Sequence, residues 1–551
     1  MNNLTIWKTL SKKNSDHTVS DILNTLLVNR GLTSEKDILD FLTPNLDGLL
    51  NMQFADMQKA LSRIDSAIKN HEKITVYSDY DADGISASAI LWETLNDLNA
   101  DVMPYIPDRL TEGYGFSKNG IKKVADTGVT LIISVDHGIT AKEEINYARE
   151  LGIDVILTDH HLKPDNAPEP YALIHTTTVC GAVIAWKLSY EIHKFFQIPV
   201  ENIFEKLSIA AIATIADQMP MFSHNRAVVK NGLEYLRTTK RPGLVELFNV
   251  SNLKKNQIDE YHLGHVIAPR INAMGRLSDA IESLRLYCTN SQVKAKQLSG
   301  LLNETNIRRQ ELTLSGVSEA YKMVDSDKDL IILGSPNWHE GIIGLIAGRI
   351  NDNFNKPTII VSEGKTFSKG SARSVSGVDI TDLLRQSSSN ILEDVGGHTM
   401  AAGFTVKTTN LPKLKKSIEN YFQKKYSNKE FNKEIIIDAE IDIKHINSEL
   451  YESIQKLKPF GNSNAEPVFL LQKQKVRSIT RIGADQSHIR IDLESISCIG
   501  FRLAEKSTSI RPGDHIDIIF TLNLNEFNGV KKLQLIIIDL AKSGDQYIRR
   551  T

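Results

Sequence analysis

Apolar runs that alternate with helical patterns fill the chain from residue 74 onward. The pattern predicts strands at 74–78, 102–106, 131–135 and 155–157, with helix-length segments between them. Strands that alternate with helices pack as a parallel sheet covered by helices. This region is therefore predicted to be an α/β domain, whereas residues 1–70 have the pattern of short helices.

Two further regions follow. The polar, amphipathic stretch 279–324 has little Gly and no Pro and predicts connecting helices, after which strands at 330–333 and 358–361 and a helix at 340–350 predict a smaller α/β domain. Beyond residue 433, short alternating strands are predicted at 477–482, 488–493, 496–501, 516–524 and 532–540, with a hairpin turn at Asn528-Gly529. Five short strands of this kind are typical of a small β-barrel such as an OB-fold.

A length of 551 residues fits several domains. We expect an N-terminal helical segment (1–70), a first α/β domain (71–285), connecting helices (286–325), a second α/β domain (326–430) and an OB-fold-like domain (431–551). The predicted fold class is thus α/β, with two α/β domains joined by a long helix and followed by a β-barrel.

Composition and charge narrow the class of protein. The composition is that of a globular chain, and the formal net charge of −2 gives no global basic excess, so a polyanionic partner would have to be held by local patches. Cys180, Cys288 and Cys498 are too far apart for a disulfide framework or a C-x-x-C site, which indicates a reducing cytoplasm. The start of the chain lacks the pattern of a signal peptide, and the small-apolar run 207–216 is half a membrane span, so we expect a soluble, unexported protein.

Carboxylates follow the predicted strands. Three of them, Asp79, Asp81 and Asp83, come directly after the first strand, and Asp136 ends a later apolar run. Asp159, His160 and His161 end the run after that, and Asp217 follows the small-apolar stretch. The carboxyl ends of strands in an α/β sheet meet at one crevice, so we expect these groups to be neighbours. Each also has a simpler interpretation, as a helix cap, a turn or a polar loop residue.

Aspartates with one imidazole and no nearby cysteine favour Mn²⁺ or Mg²⁺ over structural zinc. There is enough carboxylate for two ions, which would activate water and neutralise charge in the hydrolysis of a phosphate ester. No GxxxxGK[ST] motif accompanies the cluster, so an NTPase is a poor fit.

The motifs DYDADG, VDHG, TDHH and IADQMP occur in that order and resemble the DHH phosphoesterase superfamily. Five further motifs are similar to the single-strand-specific bacterial exonucleases that combine DHH and DHHA1 domains, and they extend the resemblance over nearly the whole chain: RLTEGYGFS (109–117), PRINAMGRL (269–277), GSARSV (370–375), GGHTMAAGF (396–404) and LKPFGNSNAEPVF (457–469).

The resemblance implies a 5′-to-3′ exonuclease that degrades single-stranded DNA to 5′-mononucleotides with two Mn²⁺ or Mg²⁺ ions, in recombination and repair, beside a helicase and a single-strand-binding protein. It implies metal ligation by Asp81, Asp83, Asp136, His160 and Asp217, joined or supported by Asp79. Tyr77 stands where the superfamily often has a histidine, which leaves one ion's ligands open. His161 would face the substrate and donate to a phosphate oxygen, or else be a structural histidine, and Asp159 would orient its neighbours.

Gripping a 5′ end requires a pocket for its phosphate, for which an arginine fork is suited. Arg109, Ser371 and Arg373 are the candidates, and the resemblance implies a cleft that closes between the two α/β domains. The Gly-Gly turn of GGHTMAAGF precedes a helix-compatible run, so backbone amides near Gly397 could approach a phosphate, with His398 in the cleft. Arg276 could contact the backbone and Tyr114 could stack on a base. Surface charge, a plain turn and a buried tyrosine are the simpler interpretations.

A local basic patch is predicted in the β-domain, from Lys473, Lys475 and Arg477 with Arg481, His488 and Arg490 nearby, although a solvated strand face has the same pattern. Two rival functions remain at this point. One is a DHH phosphodiesterase that acts on short oligonucleotides, cyclic dinucleotides or pyrophosphate, and the other is a single-strand-binding scaffold without catalysis.

Overall fold

A computed structural model describes residues 5–11, 18–109, 112–113, 115–388, 390–427, 429, 431–527, 529–544 and 549–550. The strands within these ranges are β1 (Thr5–Thr9), β2 (Lys73–Ser78), β3 (Val102–Tyr105), β4 (Val129–Val135), β5 (Asp154–Asp159), β6 (Ala172–His175), β7 (Ile331–Ser335), β8 (Thr358–Ser362), β9 (Phe367–Arg373), β10 (Leu392–His398), β11 (Ala401–Lys407), β12 (Lys433–Ile437), β13 (Ala439–Glu440), β14 (Phe469–Lys475), β15 (Ser478–Ile482), β16 (His488–Asp492), β17 (Ser497–Gly500), β18 (His515–Phe527), β19 (Val530–Lys542) and β20 (Arg549–Arg550).

The α-helices are α1 (Val19–Asn29), α2 (Glu35–Leu42), α3 (Asp47–Leu50), α4 (Met57–Lys69), α5 (Ala82–Asp97), α6 (Lys118–Ala125), α7 (Lys142–Glu150), α8 (Gly181–Phe195), α9 (Glu201–Phe204), α10 (Leu207–Ala216), α11 (Ser223–Thr238), α12 (Pro242–Val250), α13 (Glu260–His262), α14 (Ala268–Leu277), α15 (Ile281–Cys288), α16 (Gln292–Met323), α17 (Ile343–Phe354), α18 (Ile380–Ser388), α19 (Leu411–Tyr426) and α20 (Ser448–Gln455). A π-helical turn, Leu263–Ile267, and three 3₁₀ turns, Lys255–Gln257, Thr408–Asn410 and Ile443–His445, complete the helical segments.

The chain folds into two compact units. The central unit comprises residues 35–309 and 459–465, and the flanking unit comprises residues 1–34, 310–458 and 466–551. Helix α16 begins in the central unit and ends in the flanking unit, as expected for a connecting helix.

The central unit is built on a parallel sheet with the strand order β3-β2-β4-β5-β6. Its first four strands in the chain are those that the hydrophobic pattern predicts, and β6 is an addition at the edge. Because β2 pairs with β3 on one side and β4 on the other, the connections leave it in opposite directions. The carboxyl ends of β2 and β4 therefore border the crevice at which open α/β sheets bind ligands.

The flanking unit contains a mixed sheet, β10-β11-β9-β8-β7, and a seven-stranded sheet, β13-β14-β18-β19-β17-β16-β15. These sheets contain the strands predicted for the second α/β domain and for the β-domain, so the predicted fold class is confirmed. Asn528 lies outside the described residues, but the strands that flank it, β18 and β19, pair antiparallel up to Phe527 and Val530, as a hairpin requires.

The expectation that residues 1–70 form short helices is wrong for the first residues of that segment. Residues 5–9 form β1, which runs parallel to β12, and Trp7 is buried there with its indole Nε1 donating to Asp539 Oδ2 at 2.9 Å. The partner strand lies more than four hundred residues away, so the local pattern could not reveal this pairing.

The segment GGHTMAAGF is also not the start of a helix. Gly396 and Gly397 belong to β10, and Ala401 begins β11, with which β10 pairs antiparallel. Burial alternates along β11, as in a strand with one covered face, so sheet pairing overrides the helix-compatible composition.

No α-helix in the described ranges is long and apolar enough to cross a membrane.

Candidate metal centre and active site

The first group of carboxylates lies where β2 passes into α5. Asp79 is buried directly after the strand, and Asp81 is the N-cap residue of α5, whose Oδ1 accepts from the backbone N–H groups of Asp83 at 2.8 Å and Gly84 at 3.1 Å. Asp81 therefore has the simple capping function, which leaves its second carboxylate oxygen for another partner. Gly84 is required here, because a Cβ at this position would lie 1.8 Å from Asp79 Oδ1.

Asp83 is held by a second helix. Its two carboxylate oxygens accept from the N–H groups of Gly181 and Ala182, each at 2.7 Å, at the N-terminus of α8. Free N–H groups and the helix dipole favour an anion at this place. Gly181 also allows Asp136 to approach, since a Cβ on Gly181 would lie 2.5 Å from the Asp136 Cβ.

His160 brings three carboxylates together. Its Nε2 lies 3.0 Å from Asp136 Oδ1, 3.7 Å from Asp83 Oδ2 and 3.7 Å from Asp217 Oδ2. Asp136 reaches this position from a left-handed backbone conformation, with φ of 67°, after the end of β4. Asp217 reaches it from the C-terminal end of α10.

The side chains form three overlapping groups whose donor atoms lie within 4.8 Å of one another: Asp79, Asp81 and Asp136; Asp83, His160 and Asp217; and Asp136, His160 and His161. All six residues that the sequence nominates as metal ligands belong to these groups. Carboxylate oxygens with one or two imidazole nitrogens and no thiolate suit Mn²⁺ and Mg²⁺.

The electrostatics of the cluster also favour a cation. Burial raises the pKa of Asp79, Asp81 and Asp136, and the neighbouring aspartates raise it further. Burial together with the charges of Asp83 and Asp81 raises the pKa of Asp217 to about 8. Because these carboxylates disfavour each other's ionisation, divalent cations are the partners that would allow all of them to be charged.

Asp159 and His161 form a separate pair beside the cluster. Asp159 accepts from the N–H groups of His160 and His161 through Oδ1 and from that of Ile139 through Oδ2, at 2.7, 3.0 and 2.8 Å. Burial opposes its ionisation, but these bonds and His161 hold the pKa of Asp159 well below its usual range. His161 Nδ1 lies 2.8 Å from Asp159 Oδ1, and although burial opposes protonation, this contact raises the pKa of His161. Its side chain is 38% exposed, as a group that meets a substrate must be.

Three residues around the cluster were not singled out as site residues by the sequence. His137 is buried and donates from Nε2 to the carbonyl of Tyr77 at 3.1 Å, and burial lowers its pKa to about 4, so it is neutral. Asn272 accepts from the N–H of Ala82 at 2.7 Å and so fixes the first turn of α5. His175 Nε2 donates to the carbonyl of His161 at 2.7 Å. His137 and Asn272 lie within the motifs VDHG and PRINAMGRL, which were the available signal.

Tyr77, in the place of the superfamily's histidine, is buried within β2 and packs against Phe116 and His137.

The two arginines predicted for the first domain lie in the central unit beside the cluster. The guanidinium of Arg109 lies 5.0 Å from the ring centre of Tyr80, the residue that follows Asp79. Burial raises the pKa of Tyr80, while the charges of Arg109 and Arg276 lower it, so both cations are near this ring. Tyr114 lies outside the described residues.

The other substrate-binding candidates gather at one corner of the β9-β11-β10 sheet in the flanking unit. Arg373 pairs with Ala401, and Ala401 pairs in turn with His398, so the arginine and the histidine share one row across three strands. Arg373 Nη1 lies 3.5 Å from Ser371 Oγ, and burial lowers the pKa of Arg373. Gly397 has φ of 144° and leaves no room for a Cβ, which would lie 2.4 Å from the carbonyl oxygen of Ala401.

Family models match three parts of the chain: the DHH family N-terminal domain at residues 73–214, the DHHA1 domain at 327–424 and the RecJ OB domain at 437–539. Single-stranded-DNA-specific exonuclease RecJ of Bacillus subtilis is 33% identical over 544 residues, which cover 95% of this chain and 68% of the relative. RecJ of Thermus thermophilus is 30% identical over 498 residues, covering 88% and 71%. The crystal structure of RecJ in complex with Mn²⁺ from Thermus thermophilus covers 99% of this chain and 81% of its own, with a TM-score of 0.86 and 26% identity.

The motif order, the carboxylate cluster and these matches agree along the whole chain. The chain belongs to the RecJ family of single-stranded-DNA-specific exonucleases.

Proposed function

We propose that this chain is a metal-dependent exonuclease that hydrolyses single-stranded DNA from its 5′ end and releases 5′-mononucleotides. The observation that carries the proposal is the set of overlapping carboxylate and imidazole groups at the ends of the parallel strands. The names of the relatives, single-stranded-DNA-specific exonucleases, support the substrate.

Two divalent ions would be held by the cluster. Asp83, His160 and Asp217 would bind one ion, and Asp79, Asp81 and Asp136 would bind the other. When bound, the ions supply an activated water and neutralise charge on the phosphodiester.

The protein's own groups orient the phosphate. Asp159 engages Nδ1 of His161, and the protonated imidazole would donate from Nε2 to a non-bridging phosphate oxygen. The buried Asp159 anion favours that protonated form by raising the pKa of His161. We assign His161 as a catalytic residue on this basis, and Asp136 as one because it belongs to two of the candidate metal groups.

Each unit has its own candidates for contact with DNA. In the central unit, Arg109 and Arg276 would contact the backbone close to the cluster. In the flanking unit, the corner formed by Ser371, Arg373 and Gly397 with His398 would bind a terminal phosphate. The 5′-to-3′ direction is part of this proposal, as are a helicase and a single-strand-binding protein as partners, a function in recombination and repair, and a cytoplasmic location.

Digestion of 5′-labelled and 3′-labelled single strands with Mn²⁺, beside a duplex of the same sequence, tests the proposal. We expect labelled mononucleotide to appear early from the 5′ end only, with no early product from the duplex. Asp136→Ala and EDTA should each abolish release, whereas Asp165→Ala, at an exposed aspartate of the same unit, should not. Turnover of dinucleotides without digestion of long strands would contradict the proposal and indicate a phosphodiesterase for small substrates.

A further inference from the structure

The motif LKPFGNSNAEPVF has no part in the function proposed above. Its middle section, residues 459–465, belongs to the central unit, although the residues on both sides of it in the chain belong to the flanking unit. We call this section the clasp loop. Its contacts show what it does in the central unit.

The clasp loop is firmly anchored at its start. The fully buried Arg226 donates from Nη1 to the carbonyl of Pro459 at 3.2 Å, and Asn464 Nδ2 donates to the same carbonyl at 2.9 Å. The N–H of Phe460 donates to Glu260 Oε1 at 3.0 Å. A buried cation and a buried carboxylate thus fix the backbone of the loop, so its tip has a defined position.

The tip of the loop contacts the turn that follows α10. The Asn462 side chain donates from Nδ2 to the backbone carbonyl of Gln218 at 2.6 Å. The backbone carbonyl of Asn462 accepts from the N–H of Met221 at 2.8 Å. The residue before Gln218 is Asp217, whose carboxylate lies 3.7 Å from His160 Nε2.

The turn after α10 contains a residue in the left-handed backbone region, Gln218, with φ of 54°. The end of the helix supports this turn, because the N–H groups of Gln218 and Met219 donate to the carbonyls of Ile215 at 3.2 Å and Thr214 at 3.1 Å. The carbonyl that the Asn462 side chain binds belongs to Gln218. Asn462 therefore adds two bonds from outside the helix to the turn that directly follows Asp217.

We propose that Asn462 is a positioning residue for the metal centre. Through its hydrogen bonds to Gln218 and Met221, it holds Asp217 in its ligating position. The proposal rests on the proposed function in that Asp217 is taken as a metal ligand. It assigns a task to a motif at the C-terminal side of the chain that lies outside the DHH match.

Calorimetric titration of the full chain with Mn²⁺ alone, without DNA, tests the proposal. We expect Asn462→Ala to weaken Mn²⁺ binding by about threefold to tenfold, the range that one lost hydrogen bond corresponds to. The matched control is Asn231→Ala in α11, where the amide also donates to a backbone carbonyl of the same unit, that of Ala227 at 2.8 Å, and where we expect no change.

A double variant separates positioning from a general effect on the fold. If Asn462 acts through Asp217, adding Asn462→Ala to Asp217→Ala causes no further loss of Mn²⁺ affinity. Wild-type affinity in Asn462→Ala, or an additional loss in the double variant, would overturn the proposal. A wild-type chain that binds Mn²⁺ but leaves single strands intact would instead count against the proposed function, and the comparison of variants would stand.

Discussion

Single glycines allow the carboxylates of the metal centre to approach each other. Gly84 lies against Asp79, and Gly181 lies against Asp136, at distances that leave no room for a methyl group. Burial brings these carboxylates into an environment of low polarity, where small displacements change their interactions strongly. The glycines of DYDADG and of the start of α8 therefore leave the space that these two carboxylates occupy.

Gly84→Ala is predicted to weaken Mn²⁺ binding by at least tenfold and to reduce hydrolysis of single strands to a similar extent, because the added Cβ would displace Asp79. Calorimetry with Mn²⁺ and a digestion assay measure the two effects. The control is Gly300→Ala in α16, where a Cβ would meet nothing within 4 Å, and which should instead stabilise the helix by about 0.5–1 kcal/mol. Unchanged Mn²⁺ affinity in Gly84→Ala would contradict the prediction.

The position of strand β1 depends on partners that are distant in the sequence. It pairs with β12 on one side and β20 on the other, and its buried Trp7 packs with Ile437 and Ile519. A five-residue strand has no stability of its own, so the flanking unit holds it in place.

Trp7→Ala is predicted to destabilise the flanking unit by about 3–5 kcal/mol, through lost packing and the lost bond to Asp539. Urea unfolding, monitored by hydrogen exchange of the backbone amides in β12 and β18, measures the change in the free energy of unfolding. Lys8→Ala, at the exposed neighbour on the same strand, should change stability by less than about 0.5 kcal/mol. An equal effect of both substitutions would contradict the packing explanation.

At the scale of the whole molecule, the charge cluster makes the stability of the metal-free chain depend on pH. Burial and neighbouring aspartates raise the pKa of Asp217 to about 8, from about 4 in an unfolded chain. Because the folded chain holds this proton more tightly, the stability it contributes is complete below about pH 4 and is lost as the pH rises through about 8. The buried His137, whose pKa is lowered to about 4, has the opposite effect, because its contribution to stability increases as the pH rises. That increase is complete by about pH 7.

The melting temperature of the metal-free chain is therefore predicted to fall between about pH 7 and about pH 8.5. Saturating Mn²⁺ should reduce the fall, because the cation replaces the proton among the carboxylates. Asp217→Asn should give a shallower fall, since one of the titrating groups is then missing. Calorimetric scans with EDTA and with Mn²⁺ measure these slopes, and a metal-free melting temperature that rises over this interval would contradict the prediction.

The sequence by itself determined the parallel sheet of the central unit and the gathering of its acidic groups. Both follow from local information: alternation of strands and helices sets the sheet, and parallel strands bring their carboxyl ends to one edge. Asp79, Asp136 and His160 could be placed near one another from that rule alone. The family resemblance added the exonuclease activity, which no single motif could establish.

Only the tertiary structure decided the features that depend on distant partners. The N–H groups that hold Asp83 belong to α8, 98 and 99 residues further along the chain, and β1 pairs with a strand beyond residue 430. The segment around Gly397 has a helix-compatible composition but becomes a strand because its neighbours offer a sheet edge. Asn462 reaches the turn after Asp217 across 244 residues, and no periodicity or spacing in the sequence encodes such a contact.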